Sequence, residues 1–199
     1  MNTRQFVVTT VVLFALVIAM SVYVSQLRRR EIAALRVHSV PKVEHAAPPA
    51  SGKMEQVSVL VAYDDPGVLR AQSLSIPLTS GRQQRAEELL RALIGVYTAK
   101  NSPHLLALGS DVRNVFLVDP GIAVVDLNST LVDSQVSGVL SEELTIASMV
   151  QILANNLPGL TRVKFLVDGK QRDTLAGHVE LSQFYEVSQV NQMVEELSR

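Results

Sequence analysis

Val112-Arg-Asn-Val-Phe-Leu-Val118, Asp119-Pro120-Gly121 and Ile122-Ala-Val-Val-Asp-Leu127 decide how this chain folds. Two short runs rich in β-branched residues flank a Pro-Gly pair. Proline fixes the first turn torsion and glycine accepts the positive one, so the stretch reads as a β-hairpin.

Downstream of the hairpin, Gly138 to Asn156 places Leu140, Leu144, Ile146, Ala147, Val150, Leu153 and Ala154 at helical spacing, and Leu157-Pro158-Gly159 ends the run. This is an amphipathic helix. Thr161 to Val167 alternates as a strand, Asp168-Gly169 turns it, and Leu175 to Leu181 is expected to return as a final strand. Upstream, Gln56 to Tyr63 reads as a strand that stops at Asp64-Asp65-Pro66-Gly67, and Leu69 to Leu78 as its edge partner ending near Pro77. Arg82 to Ile94 carries Ala86, Leu89, Leu90, Leu93 and Ile94 on one helical face, with Thr79 or Ser80 to cap its start and Gly95 to end it. Tyr97 to Ser110 is a connector. The order ββα, ββα, ββ predicts an α+β fold, two amphipathic helices packed on one face of a mainly antiparallel sheet.

That domain occupies residues 56–185, a usual length for one core. Residues 1–5 form a short tail. The uncharged run from Phe6 to Val24 spans roughly 28 Å as a helix, close to a bilayer's hydrocarbon thickness, and predicts a transmembrane helix over residues 6–27. Residues 28–55 are a basic, then Ala/Pro-rich linker, and residues 186–199 a C-terminal helix or tail. The membrane is thus the first expected partner.

Charge divides the same way. Residues 1–53 carry seven Lys and Arg against two Asp and Glu, net +5, whereas residues 54–199 carry eleven against seventeen, net −6. The basic segment suits anionic headgroups, and the acidic remainder argues against nucleic acid as a partner. Arg28, Arg29 and Arg30 follow the span while only Arg4 precedes it, a bias that by itself would keep the C-terminal part in the cytoplasm.

With no cysteine, the chain has no disulfide partner, no thiol nucleophile and no cysteine-based metal site. No phosphate loop, dinucleotide fingerprint, nucleophile elbow or zinc-protease helix occurs, and the four histidines share no ligand-like spacing. No catalytic, cofactor-binding or metal residue is therefore assigned. His178 could serve as a general base beside Glu180 or Ser182, but in a strand residues 178, 180 and 182 simply share the polar face. Asp64-Asp65 and Asp168-Gly169 read as turn carboxylates that bond local amides, and Asn128-Ser129-Thr130 matches a glycosylation sequon. Val187, Val190, Val194 and Leu197 form a short apolar stripe suited to a terminal helix packing on the domain itself or to a short partner-binding helix, the first being favoured because the stripe is too short for a coiled coil.

Three segments in order, Leu108-Gly-Ser-Asp-Val112 leading to Gly121-Ile-Ala-Val-Val-Asp-Leu127, then Ser141-Glu-Glu-Leu-Thr-Ile-Ala-Ser-Met-Val150, then Val163-Lys-Phe-Leu-Val-Asp-Gly169 with Leu175-Ala-Gly-His178, resemble the GerMN domain of sporulation and spore-germination envelope proteins. The resemblance covers residues 56–184, in a single copy behind the anchor. It implies an architecture similar to ring-building motifs, an extracytoplasmic location at the bacterial cytoplasmic membrane and a non-enzymatic role. Gly121, Asp126, Asp168, Gly169, Gly177 and His178 match positions of its pattern, and their physical reading is turn geometry and strand termination.

The expected function is thus a single-pass envelope protein whose domain binds or assembles with envelope proteins or with itself. Two alternatives are a ligand sensor or enzyme on cell-wall polymers using a pocket near His178, and a cytoplasmic-facing scaffold.

Overall fold

β1 (Met54–Tyr63) and β2 (Val68–Pro77) pair antiparallel along their whole length and form a two-stranded sheet of their own. These elements come from a computed structural model that describes residues 52–118 and 120–198. The expected tail, the transmembrane helix over residues 6–27 and most of the linker lie outside the described residues. Among the described residues no helix is long and apolar enough to cross a membrane.

After α1 (Arg82–Tyr97) come β3 (Val112–Val118) and β4 (Ile122–Leu127), the hairpin anticipated from the Pro-Gly turn. A six-residue helix, α2 (Ser129–Ser134), precedes α3 (Val139–Asn156), β5 (Arg162–Val167), the two-residue β6 (Tyr185–Glu186) and α4 (Val187–Leu197). The second sheet runs β3-β4-β5-β6, with β4 and β5 parallel and the outer pairs antiparallel.

The α+β class and the mainly antiparallel pairing hold, but the one expected sheet is corrected to two, with a parallel pair at the centre of the larger one. The reason lies in α3. Leu144 to Val150 are buried without a break, and Ile152 and Leu153 follow, so this helix is buried on nearly every side rather than on one face. A single sheet covers only one side of a helix. The β1–β2 hairpin therefore lies along α3 instead of joining the larger sheet. Asn156 Nδ2 reaches the Ser58 carbonyl at 3.2 Å near one end, and Gly67 sits under the Leu140 side chain at the other. One hydrophobic cluster takes in Val57, Val59 and Val61 of β1, Leu89, Leu90 and Leu93 of α1, Met149 and Leu153 of α3, and Val125 and Phe165 of the larger sheet. Each such side chain stabilises the fold by about 1.5–3 kcal/mol on burial.

Local signals were partly overridden. The first helix runs through Gly95 to Tyr97, because Tyr97 is fully buried and its hydroxyl accepts the Ala62 amide at 2.9 Å. Its N-cap is Gly81 without a side-chain cap, not Thr79 or Ser80. α1 is pinned instead by Arg85, which pairs with Glu55, and by Arg82, whose guanidinium donates to the Pro158 carbonyl at 2.8 Å. The final strand expected over Leu175 to Leu181 does not form. That segment makes only an isolated bridge between Thr174 and Glu180, and strand pairing with β5 is taken by Tyr185 and Glu186. The amides of Ala176, His178 and Val179 go to the Glu142 carboxylate instead. α4 packs on α3 through the buried Val190.

Candidate functional site

Gly121, Asp126, Asp168, Gly169, Gly177 and His178 fall into three separate places. Gly121 ends the β3–β4 turn at φ 80°, and its carbonyl accepts the Thr161 amide at 2.7 Å, the Arg162 amide at 3.1 Å and the Thr161 hydroxyl at 3.0 Å. A Cβ there would stand 2.4 Å from the Gly159 carbonyl oxygen. Only glycine fits. This residue ties the hairpin to the chain leaving α3.

At the other end of β4, the structure brings Asp126, Asp168 and Gly169 together. Asp126 is buried and accepts the Gly169 amide at 2.7 Å, while Arg113 bridges Asp126 at 3.4 Å and Asp168 at 3.0 Å. A hydrogen bond from Ser129, with Arg113 beside it, holds the Asp168 carboxyl below its ordinary range. The cluster sets the turn after β5, with Asp168 itself at φ 49°.

Gly177 and His178 meet the start of α3. Glu142 there is fully buried, and its Oε2 accepts the amides of Ala176 at 3.0 Å, His178 at 3.1 Å and Val179 at 2.8 Å. Its Oε1 lies 2.9 Å from His178 Nδ1 and accepts the Gly138 amide at 3.3 Å. Burial works against ionisation, but the amides of Val179 and Ala176 and the imidazole outweigh it and pull the carboxyl down to about 2. Amides spent on Glu142 cannot join a strand ladder, which explains the missing strand over 175–181. Gly177, at φ 118°, lets the backbone turn around that carboxylate.

His178 projects from this loop, and its imidazole is about half-exposed at one end of an open groove of about 360 Å³. Ser137 Oγ also approaches Nδ1, at 3.4 Å. Carboxylate and hydroxyl therefore share one ring nitrogen, whereas a relay from carboxylate through imidazole to a nucleophile uses opposite nitrogens. Glu180 and Ser182 bond each other at 2.6 Å rather than serving His178.

A second polar constellation was not foreseen. His104, in the connector, is buried with Nδ1 2.7 Å from Asp64 and Nε2 2.7 Å from the Thr145 hydroxyl, and its ring meets Tyr97 edge-on at 4.8 Å. Thr145 also bonds Gln135 Oε1 at 2.8 Å. Asp64 thus reaches a distant histidine and not a local turn amide. Burial pushes the Tyr97 hydroxyl up to about 12, against the hydrogen bonds of Ser148 and the Ala62 amide. The chain of contacts locks the first hairpin turn, the connector and α3 together, with both ends of the imidazole enclosed.

Asn128 of the sequon caps α2. Its Oδ1 accepts the amides of Leu131 at 3.0 Å and Asp111 at 3.1 Å, and its Nδ2 donates to the Gly109 carbonyl at 2.6 Å. Among the described residues, no group of three or more His, Asp or Glu side chains is arranged to hold a metal ion.

Glu142 had a readable signal, since positions 142, 146, 149 and 153 follow helical spacing and three of the four are apolar. An acid on that stripe must find partners inside. His104 had no such signal, because neither of its partners is near it in sequence.

Comparison with known proteins agrees with this architecture. A family model described as Germane, sporulation and spore germination, matches residues 60–173. The structure of the tandem GerMN domains of the sporulation protein GerM from Bacillus subtilis aligns over 67% of this chain and 46% of that one, with 17% identity and a TM-score of 0.50. The chain thus spans just under half of the tandem structure, and at this identity the likeness shows the fold alone. The first GerMN domain of the same protein aligns over 66% of this chain and 97% of its own, with 18% identity and a TM-score of 0.49. A putative lipoprotein from Clostridium perfringens aligns over 74% and 93%, with 16% identity and a TM-score of 0.43. No curated protein matches the chain. The matched residues make up more than half of the sequence, and the chain belongs to the Germane family of sporulation and spore germination, through a GerMN-type domain.

Proposed function

We propose that this protein is anchored in the bacterial cytoplasmic membrane by residues 6–27 and acts outside it, as a non-enzymatic binding or assembly module of the cell envelope. The observation that supports this reading best is the way Glu142 is used. Both of its oxygens are spent on the amides around His178 and on Nδ1. A carboxylate so occupied is a poor proton acceptor and a good staple. It makes the loop a fixed wall, and a fixed wall beside a groove favours binding by lowering the ordering cost.

The partners on this reading are an envelope protein or a second copy of the chain. Nucleic acid is excluded from the proposal because the domain segment is acidic. Sporulation or germination is the setting that the family description suggests.

Paired phosphatase and fluorescent-protein fusions after Arg199 test the location. Phosphatase activity without fluorescence is expected. The reverse result would mean that Arg28 to Arg30 had fixed a cytoplasmic orientation, and the envelope reading would fall. The enzyme alternative is tested by His178→Ala. Loss of turnover on a purified wall polymer, with an unchanged melting temperature, would replace binding by catalysis.

A further inference from the structure

The groove beside His178 is walled by the start of α3, the 178–185 segment and one face of α4. Its apolar surface comes from Val139, Val179, Phe184, Val190 and Met193, and His178 stands beside them. Its carboxylates are Glu143 and Glu180, the latter held in place by Ser182 at 2.6 Å and Gln183 at 3.0 Å. Among the described residues no lysine or arginine lines it. Two cations stand on neighbouring β5, and both are engaged. Arg162 lies over the Phe184 ring at 5.4 Å and near Glu186 at 3.9 Å, and Lys164 donates its Nζ to the Leu181 carbonyl at 2.8 Å. Burial first, and then the carboxylates of Glu180, Glu142 and Glu143, raise the Tyr185 hydroxyl above its ordinary range.

An open, half-apolar channel in which two carboxylates face one imidazole and no described lysine or arginine selects its occupant by complementarity. Polyanionic wall polymers and anionic headgroups are repelled by it. Small inorganic cations gain nothing from its apolar wall. A volume of about 360 Å³ sits at the low end of ligand pockets and holds about two or three side chains. We propose that the groove binds a basic, apolar segment of a partner protein, in which a Lys or Arg meets Glu143 and Glu180 while a neighbouring aliphatic or aromatic residue lies on Val179, Phe184 and Met193. This rests on reading the domain as a binding module, and it names the partner's chemistry.

The test is calorimetric titration of the full chain, in zwitterionic detergent, with the peptide Ac-Leu-Lys-Phe-Lys-Leu-NH2. Its analogues carry norleucine or glutamate in place of both lysines. Saturable binding is expected, at least tenfold weaker for the norleucine peptide and undetectable for the glutamate peptide. Glu143→Gln combined with Glu180→Gln should weaken the lysine peptide about tenfold with an unchanged melting temperature, and Met193→Asp should weaken the norleucine peptide as well. Equal affinity for the lysine and norleucine peptides would overturn the proposal, as would indifference to the two glutamine substitutions. Spermidine binding as tightly as the peptide would also overturn it, since the apolar wall would then contribute nothing. Cross-linked envelope partners retained by the double glutamine variant, with no peptide binding by the parent, would sink this inference and leave the binding-module reading standing on another surface.

Discussion

Glu142 Oε1 lies 2.9 Å from His178 Nδ1, although the two residues are 36 positions apart, and the same carboxylate takes the amides of Ala176, His178 and Val179 on its other oxygen. One buried side chain at the start of α3 thereby fixes the loop that forms a wall of the groove.

Replacing it is costly. Glu142→Gln keeps the volume but sets an NH₂ group against amide donors, so a loss of about 2–4 kcal/mol at neutral pH is expected from urea titration. The pH dependence has a definite sign. The carboxyl is lowered from 4.5 to about 2 in the folded protein, so its contribution is complete above pH 4.5 and is lost as pH falls toward 2. The stability gap between parent and Glu142→Gln should narrow across that window. A gap that stays constant from pH 6 to pH 3 would contradict the assignment.

Tyr97 gives the opposite edge of the profile. Its hydroxyl is raised from 10.0 to about 12, so the stability tied to keeping it neutral is complete below pH 10 and disappears as pH rises through 12. Absorbance titration of the parent against Tyr97→Phe should show one phenol ionising only with alkaline unfolding. The substitution itself leaves the Ala62 amide unpaired and should cost about 1–3 kcal/mol.

Gly121→Ala should destabilise by about 2 kcal/mol or more, because a left-handed torsion and a clash with the Gly159 carbonyl add. Gly95→Ala is the control, since a Cβ there meets nothing. It lies inside α1 and should stabilise by about 0.5–1 kcal/mol. Thermal melts of both variants check the contrast.

His104→Ala should cost about 2–4 kcal/mol, and Thr145→Val about 1–3 kcal/mol. Because the two side chains meet at 2.7 Å, the double variant should fall short of the summed losses by at least about 0.5 kcal/mol. Strict additivity would mean that the imidazole and the hydroxyl do not act as one network.

The α+β class, the β3–β4 hairpin, the span of α3 and the need for glycine at 121 were all legible along the chain, because each follows from torsion preference or apolar period within one short stretch. Tertiary structure alone decided that the first hairpin would leave the larger sheet. An α3 buried on nearly every side has to be covered by more than one layer, and no local pattern says by what. It also decided that residues 175–181 would wrap a carboxylate instead of extending a strand, and that His104 would join Asp64 to Thr145. Those outcomes depend on partners some 35 to 40 positions away, so the competition for each amide and imidazole is settled only when the chain has closed on itself.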